Sequence, residues 1–181
     1  MSLAPSAFMQ ALIDLAIRAG TEIMAIYATD FTATAKGDLT PVTEADEAAE
    51  KLILAGLARI NPAIPVISEE AAAAGRIPEV SETFFLVDPL DGTKEFISRN
   101  GEFTVNIALV EHGVPVAGVV YAPALRRMFW GERQTGAAQG RIEADAATAW
   151  QPLGVRPLPA EGATVVASRS HRDQATEDYL S

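Results

Sequence analysis

The spacing of apolar residues changes once along this chain, and the change divides it into a helical and an extended part. Phe8, Leu12, Leu15, Ala16, Ala19, Ile23 and Ile26 recur at three- and four-residue steps, which predicts a helix over residues 5–29. Ala49, Leu52, Ile53, Ala55 and Leu57 form a second stripe, with Thr43 placed as N-cap and Asp46 as its capping-box partner. Asn61-Pro62 ends that helix near Ile60. Beyond Pro65 the pattern is extended. Val66-Ile67 leads into Ser68-Glu69-Glu70, and residues 83–87 read as a buried strand. Residues 103–111 and 114–121 read as strands joined at His112-Gly113, with 128–131 as a third strand and 164–167 as a further short one. The expected fold class is α+β. Helices would pack on an antiparallel sheet in a domain of residues 1–145, and a smaller α/β domain would open in residues 146–181. The boundary falls in a loose, proline-bearing stretch. Residues 173–181 read as a helix only begun, so the sequence is expected to be incomplete.

Composition removes several classes of function. The chain has no cysteine, which excludes disulfides, Cys-ligated zinc, Fe–S clusters and thiol nucleophiles within it. Its net charge of −10 argues against non-specific nucleic-acid binding, which needs a basic footprint. The same balance suits carboxylates gathered around divalent cations, although acidity also serves solubility alone. No run is long and apolar enough for a transmembrane helix, and no signal peptide is visible, so a cytoplasmic location is the simplest expectation.

The densest chemistry lies in Asp88-Pro89-Leu90-Asp91-Gly92-Thr93-Lys94-Glu95-Phe96, directly after the apolar strand. Two carboxylates at a strand end, with the Leu90 carbonyl between them, make an oxygen-rich set of the kind that suits Mg²⁺. Gly92 permits a tight turn, and Thr93 with the amides behind it would stand at a helix N-terminus, where phosphate binds readily. An N-capped turn is the plainer reading of the same hexapeptide. The haloacid-dehalogenase mechanism is excluded, because the position two before Asp91 is Pro89 and offers no nucleophile. Glu69-Glu70 can deliver a carboxylate to the same cleft, or can simply open a helix where negative charge is favourable. Asp46 can cap its helix or accept a proton from a water.

Taken in order, Thr43-Glu44-Ala45-Asp46, Glu69-Glu70 and Asp88 to Thr93 resemble the lithium-sensitive, magnesium-dependent phosphatases typified by inositol monophosphatase. The stretch from Asp88 through Arg99-Asn100-Gly101-Glu102-Phe103-Thr104-Val105-Asn106 is similar to the 3′(2′),5′-bisphosphate nucleotidase branch, as are Thr40 to Asp46 and Ser168-Arg169-Ser170-His171. Lys94-Glu95 stands where the inositol branch usually carries Asn in second place. The resemblance implies a layered α-β-α-β-α sandwich, and an enzyme that hydrolyses the 3′-phosphate of 3′-phosphoadenosine 5′-phosphate to AMP and phosphate. It also implies two or three Mg²⁺ ions on Glu69, Asp88, the Leu90 carbonyl and Asp91, with Asp46 and Thr93 orienting and deprotonating the attacking water. Gly92 and Thr93 would hold the scissile phosphate, and Ser168 and His171 would help seat the nucleotide. Lys36 would reach a phosphate, or be an inert loop residue, and His112 would be a solvated turn residue. A later Trp-Asp-x-Ala-Ala segment of the family is missing here, since Trp130 precedes Gly131 and Trp150 precedes Gln151. An inositol- or sugar-phosphate monophosphatase and a catalytically silent metal- or nucleotide-binding fragment therefore stay open, as does a homodimer.

Overall fold

The computed structural model describes residues 4–29, 33–35, 41–79, 82–147, 149–168 and 173–180. Helix α1 (Ala7–Tyr27) starts where the Ser6 hydroxyl accepts the Met9 amide at 3.1 Å; of the predicted stripe Leu12, Leu15, Ala16, Ala19 and Ile23 are buried and Phe8 and Ile26 half-buried, while Met9, Ile13 and Ile17 widen the buried face. After a small antiparallel pair, β1 (Ala33–Ala35) and β2 (Pro41–Thr43), comes helix α2 (Glu44–Ile60). The Thr43 side chain, on which the capping reading depends, lies outside the described set. The buried positions of α2 are Ala45, Asp46, Ala49, Ile53 and Leu57, a stripe with one carboxylate in it.

The remaining elements build one sheet. They are β3 (Val66–Ser68), helix α3 (Glu69–Ala73), β4 (Thr83–Asp91), helix α4 (Thr93–Ile97), β5 (Thr104–Glu111), β6 (Val114–Ala122), β7 (Arg127–Glu132), β8 (Gly136–Glu143), β9 (Ala146–Ala147) and β10 (Gln151–Pro152). The strand order is β10-β8-β7-β6-β5-β4-β3, with β9 paired to β8. Helices α1 and α2 lie against a single face, burying Phe85, Val87, Val105, Ile107, Val119, Tyr121, Met128 and Trp130 beneath them. Gly20 makes the closest approach possible, since a Cβ there would stand 2.4 Å from Tyr121 Cε1.

Three expectations need correction. The sheet is not purely antiparallel, because β3 runs parallel to β4; the chain crosses over through α3 instead of turning back in a hairpin. Part of the stretch read as loose is a regular strand, β8. Its alternation is hidden because Gly136, Ala137, Ala138 and Gly140 carry little or no side chain. Residues 164–167 form no strand: among the described residues no neighbour pairs with them, and Val165 and Val166 are 56% and 93% exposed. The hairpin turn at His112-Gly113 is present, with His112 at φ 49° and its Nδ1 3.3 Å from Glu82, both exposed. Helix α5 (Gln174–Leu180) follows an Asp173 carboxylate that accepts the Thr176 amide and hydroxyl, which holds that carboxyl below its usual range. Among the described residues no helix is long and apolar enough to cross a membrane.

Candidate active site

Parallel pairing of β3 with β4 sets Val66 opposite Phe85, Ile67 opposite Leu86 and Ser68 opposite Val87. The next residue on each strand is Glu69 and Asp88. Both strands run the same way, so their carboxyl-terminal ends arrive together and two acids far apart in sequence become neighbours.

Asp91 reaches the same place by a different device. Residues three apart on a regular strand point to opposite faces. Between Asp88 (opposite Asn106) and Asp91 (opposite Thr104) β4 spends one residue more than β5, which is a β-bulge. Pro89 sits inside this irregularity, where its missing N–H costs the ladder least. The extra residue restores Asp91 to the side of Asp88 and presents the Leu90 carbonyl between them. Gly92 then turns the chain at φ 94°, where a Cβ would also stand 2.9 Å from the Glu102 carbonyl oxygen, so only glycine fits. Helix α4 begins there, and the Thr93 hydroxyl donates to the Leu90 carbonyl at 3.3 Å.

Five residues do not hold a helix on their own. An aromatic trio anchors this one: Phe96 lies 5.0 Å from Tyr27 of α1 and 5.1 Å from Phe103, with Tyr27 and Phe103 also 5.1 Å apart. Arg99, at φ 61°, stacks its guanidinium 5.0 Å over the Tyr27 ring and donates to the Tyr27 and Thr29 carbonyls at the end of α1.

These elements surround a cavity of about 600 Å³ lined by Glu69, Asp88, Leu90, Asp91, Gly92 and Thr93, together with Lys94, Glu95, Glu102, Thr104 and the 166–168 segment. Of the residues singled out in the sequence, Glu69, Asp88, Leu90, Asp91, Gly92, Thr93 and Ser168 therefore share one wall. Asp46 does not line it. It is 2% exposed on the first turn of α2, one helical turn before Glu50. His171 and Lys36 lie outside the described residues.

The electrostatics of the wall are unusual. Burial, followed by the Glu69 and Asp91 carboxylates, pushes the Asp88 carboxyl up from 3.8 to about 7. One oxygen of Asp88 and the side-chain oxygen of Asn106 are buried with no hydrogen-bond partner among the described residues, while Asn106 Nδ2 donates to Asp91 at 3.2 Å. Like charges held this close are neutralised by a proton or by a cation. The donor set of carboxylates, amide oxygen and carbonyl is that of a hard divalent ion. Among the described residues, no group of three or more His, Asp or Glu side chains is closed up tightly enough to hold an ion as it stands.

Two residues of this region have no role in the sequence reading. Asn106 enters the sequence only as the end of the motif stretch, and its register places it opposite Asp88 on β5. Glu50 accepts the Ser68 hydroxyl and, at 3.0 Å, the Ala71 amide; its one signal is a position four residues after Asp46 on α2.

The chain is similar in sequence and fold to known proteins. The 3′(2′),5′-bisphosphate nucleotidase CysQ of Salmonella typhimurium is 45% identical over 174 residues, covering 95% of this chain and 68% of that protein. The crystal structure of CysQ from Bacteroides thetaiotaomicron, a bacterial member of the inositol monophosphatase family, superposes with a TM-score of 0.71 at 36% identity. That match covers 95% of this chain and 66% of the other. The extragenic suppressor protein suhB from Bartonella henselae superposes with a TM-score of 0.66 at 34% identity, over 77% of this chain and 55% of the other. The chain thus spans roughly two thirds of the length of its CysQ relatives, as their 68% and 66% coverage gives. Residues 5–180, almost the whole chain, match the inositol monophosphatase family, and the chain belongs to that family.

Proposed function

We propose that this chain carries the catalytic wall of a Mg²⁺-dependent phosphomonoesterase that removes the 3′-phosphate of 3′-phosphoadenosine 5′-phosphate. The observation that supports it most is the convergence of Glu69, Asp88 and Asp91 on one cavity beside the Gly92-Thr93 turn. In this reading Glu69, Asp88, the Leu90 carbonyl and Asp91 hold the ions. When bound, the ions supply positive charge that acidifies a water and offsets the leaving oxygen. The Gly92 and Thr93 amides hold the scissile phosphate at the start of α4. Thr93 and Asp46 form the pair that orients the attacking water and takes its proton. Ser168 and His171 belong to the nucleotide side. In this reading, as the family resemblance implies, water attacks in line and no phosphoenzyme forms; the haloacid-dehalogenase route is closed separately, because Pro89 stands where its nucleophilic aspartate would be needed. The absence of cysteine fits a cytoplasmic setting.

A second reading, an inositol- or sugar-phosphate monophosphatase, draws on the breadth of the family match and on the suhB superposition. Lys94 and Glu95 on the cavity wall favour the nucleotide. Phosphate release from 3′-phosphoadenosine 5′-phosphate and from inositol 1-phosphate, each with Mg²⁺ and with EDTA, separates the two. The expected result is EDTA-sensitive turnover that prefers the nucleotide. Preference for inositol phosphate selects the second reading, and no turnover of either makes the chain a silent binding fragment.

A further inference from the structure

Helix α3 begins with Ser68 in the N-cap position, at φ −110° and ψ 146°, yet the Ser68 side chain makes no capping bond. The amide it would ordinarily satisfy, three residues on, is that of Ala71. That amide donates instead to Glu50 Oε1 at 3.0 Å, and the Ser68 hydroxyl donates to the same oxygen. A carboxylate from α2 has taken over the cap of a neighbouring helix. Negative charge is well placed there, because unpaired amides at a helix start carry partial positive charge.

This arrangement bears directly on Glu69, the first residue of α3. Ser68, 1% exposed, is the last residue of β3 and lies opposite Val87. Fixing the Ser68 hydroxyl and the Ala71 amide to one oxygen fixes the chain on both sides of Glu69. With the Ala71 amide already satisfied, the Glu69 side chain is left to the cavity wall, which it lines beside Asp88.

We propose that Glu50 is the positioning residue of this site: by capping α3 from α2 it sets where the Glu69 carboxylate meets the cavity, and with it the affinity for a divalent cation. The inference rests on Glu69 being a cation ligand. Removing a group that orients a ligand in this way typically lowers metal affinity ten- to a hundredfold. A merely structural role would lower thermal stability instead. Here that loss is small, because in Glu50→Ala the Ser68 hydroxyl is free to take the Ala71 amide in the ordinary capping manner.

The test is equilibrium titration with Mn²⁺, following free Mn²⁺ by electron paramagnetic resonance, alongside thermal melts. Glu50→Ala should weaken Mn²⁺ binding about tenfold with little change in melting temperature. Glu50→Gln, which keeps an acceptor oxygen, should stay within about twofold of the parent protein. Glu50→Asp, which keeps the charge but shortens the reach, guards against a misfolded alanine variant and should behave as alanine does. Unchanged Mn²⁺ affinity in Glu50→Ala or Glu50→Asp, with Glu69→Ala clearly weakened, overturns the positioning role. Unchanged affinity in Glu69→Ala overturns the assignment of Glu69 on which it rests.

Discussion

The sheet turns two different faces outward from one set of strands. Toward α1 and α2, Phe85, Val87, Val105, Ile107, Val119 and Met128 are at most 2% exposed. On the opposite face, Leu86 and Val120 are 47% and 41% exposed. A hollow of about 490 Å³ runs there past Ala108 and Gly118 to Asp88 and Asn106. Strand β4 contributes to both at once, with Phe85 and Val87 pointing in and Asp88 pointing out. The helix-covered core is thereby assigned to one side of each strand and the acids of the candidate site to the other, and the Asp88 carboxyl, pushed up to about 7, sits one residue from the core.

That separation is most severely tested at Asp91. On the proposed role of Asp91 as a cation ligand, Asp91→Asn should lower turnover roughly a thousandfold, since such a ligand accounts for several kcal/mol of transition-state stabilisation, while thermal stability is essentially unchanged. A variant that loses both together breaks the division between faces. The converse test lies in two adjacent residues. Phe85→Ala should destabilise the fold by about 3–5 kcal/mol, and Leu86→Ala by less than about 1 kcal/mol, both read by urea denaturation. Similar losses at the two positions would show that the open face is covered as thoroughly as the helix face.

The smallest effect concerns pH. The Asp88 carboxyl titrates near 7 in the folded chain against an ordinary 3.8, so between these values the folded state holds more protons than the unfolded one. Its contribution to stability is fully present below the ordinary value and is lost as pH rises to about 7. Without divalent cations the melting temperature should therefore fall by a few degrees across that window. Asp88→Asn should remove this part of the slope, and a slope unchanged in that variant would detach Asp88 from the charge cluster.

Much of this architecture was legible in residue spacing. The three- and four-residue recurrence placed α1 and α2 within two residues of their observed ends, because a helix buried on one side must repeat its apolar positions. The β5–β6 hairpin and β7 followed from alternation and from His112-Gly113. Strand β8 escaped because glycine and alanine leave alternation nothing to display. The parallel pairing of β3 escaped because strand direction is set by a crossover and not by any residue within the strand. At the site, the acids themselves were visible, but the reason they converge was not: the bulge at Pro89-Leu90 and the parallel register are relations between strands. Glu50 was hidden for the same reason, since its partners lie 18 and 21 residues away.

The aromatic trio has a consequence for motion. Because Phe96 is wedged between Tyr27 and Phe103 and Arg99 grips the end of α1, α4 cannot fray independently as a five-residue helix otherwise would. Its opening is coupled to the opening of α1, a helix of 21 residues. The Gly92-Thr93 turn thus borrows its rigidity from the longest element of the fold, and its amides should exchange with solvent on the slow clock of the core, not on that of a surface loop.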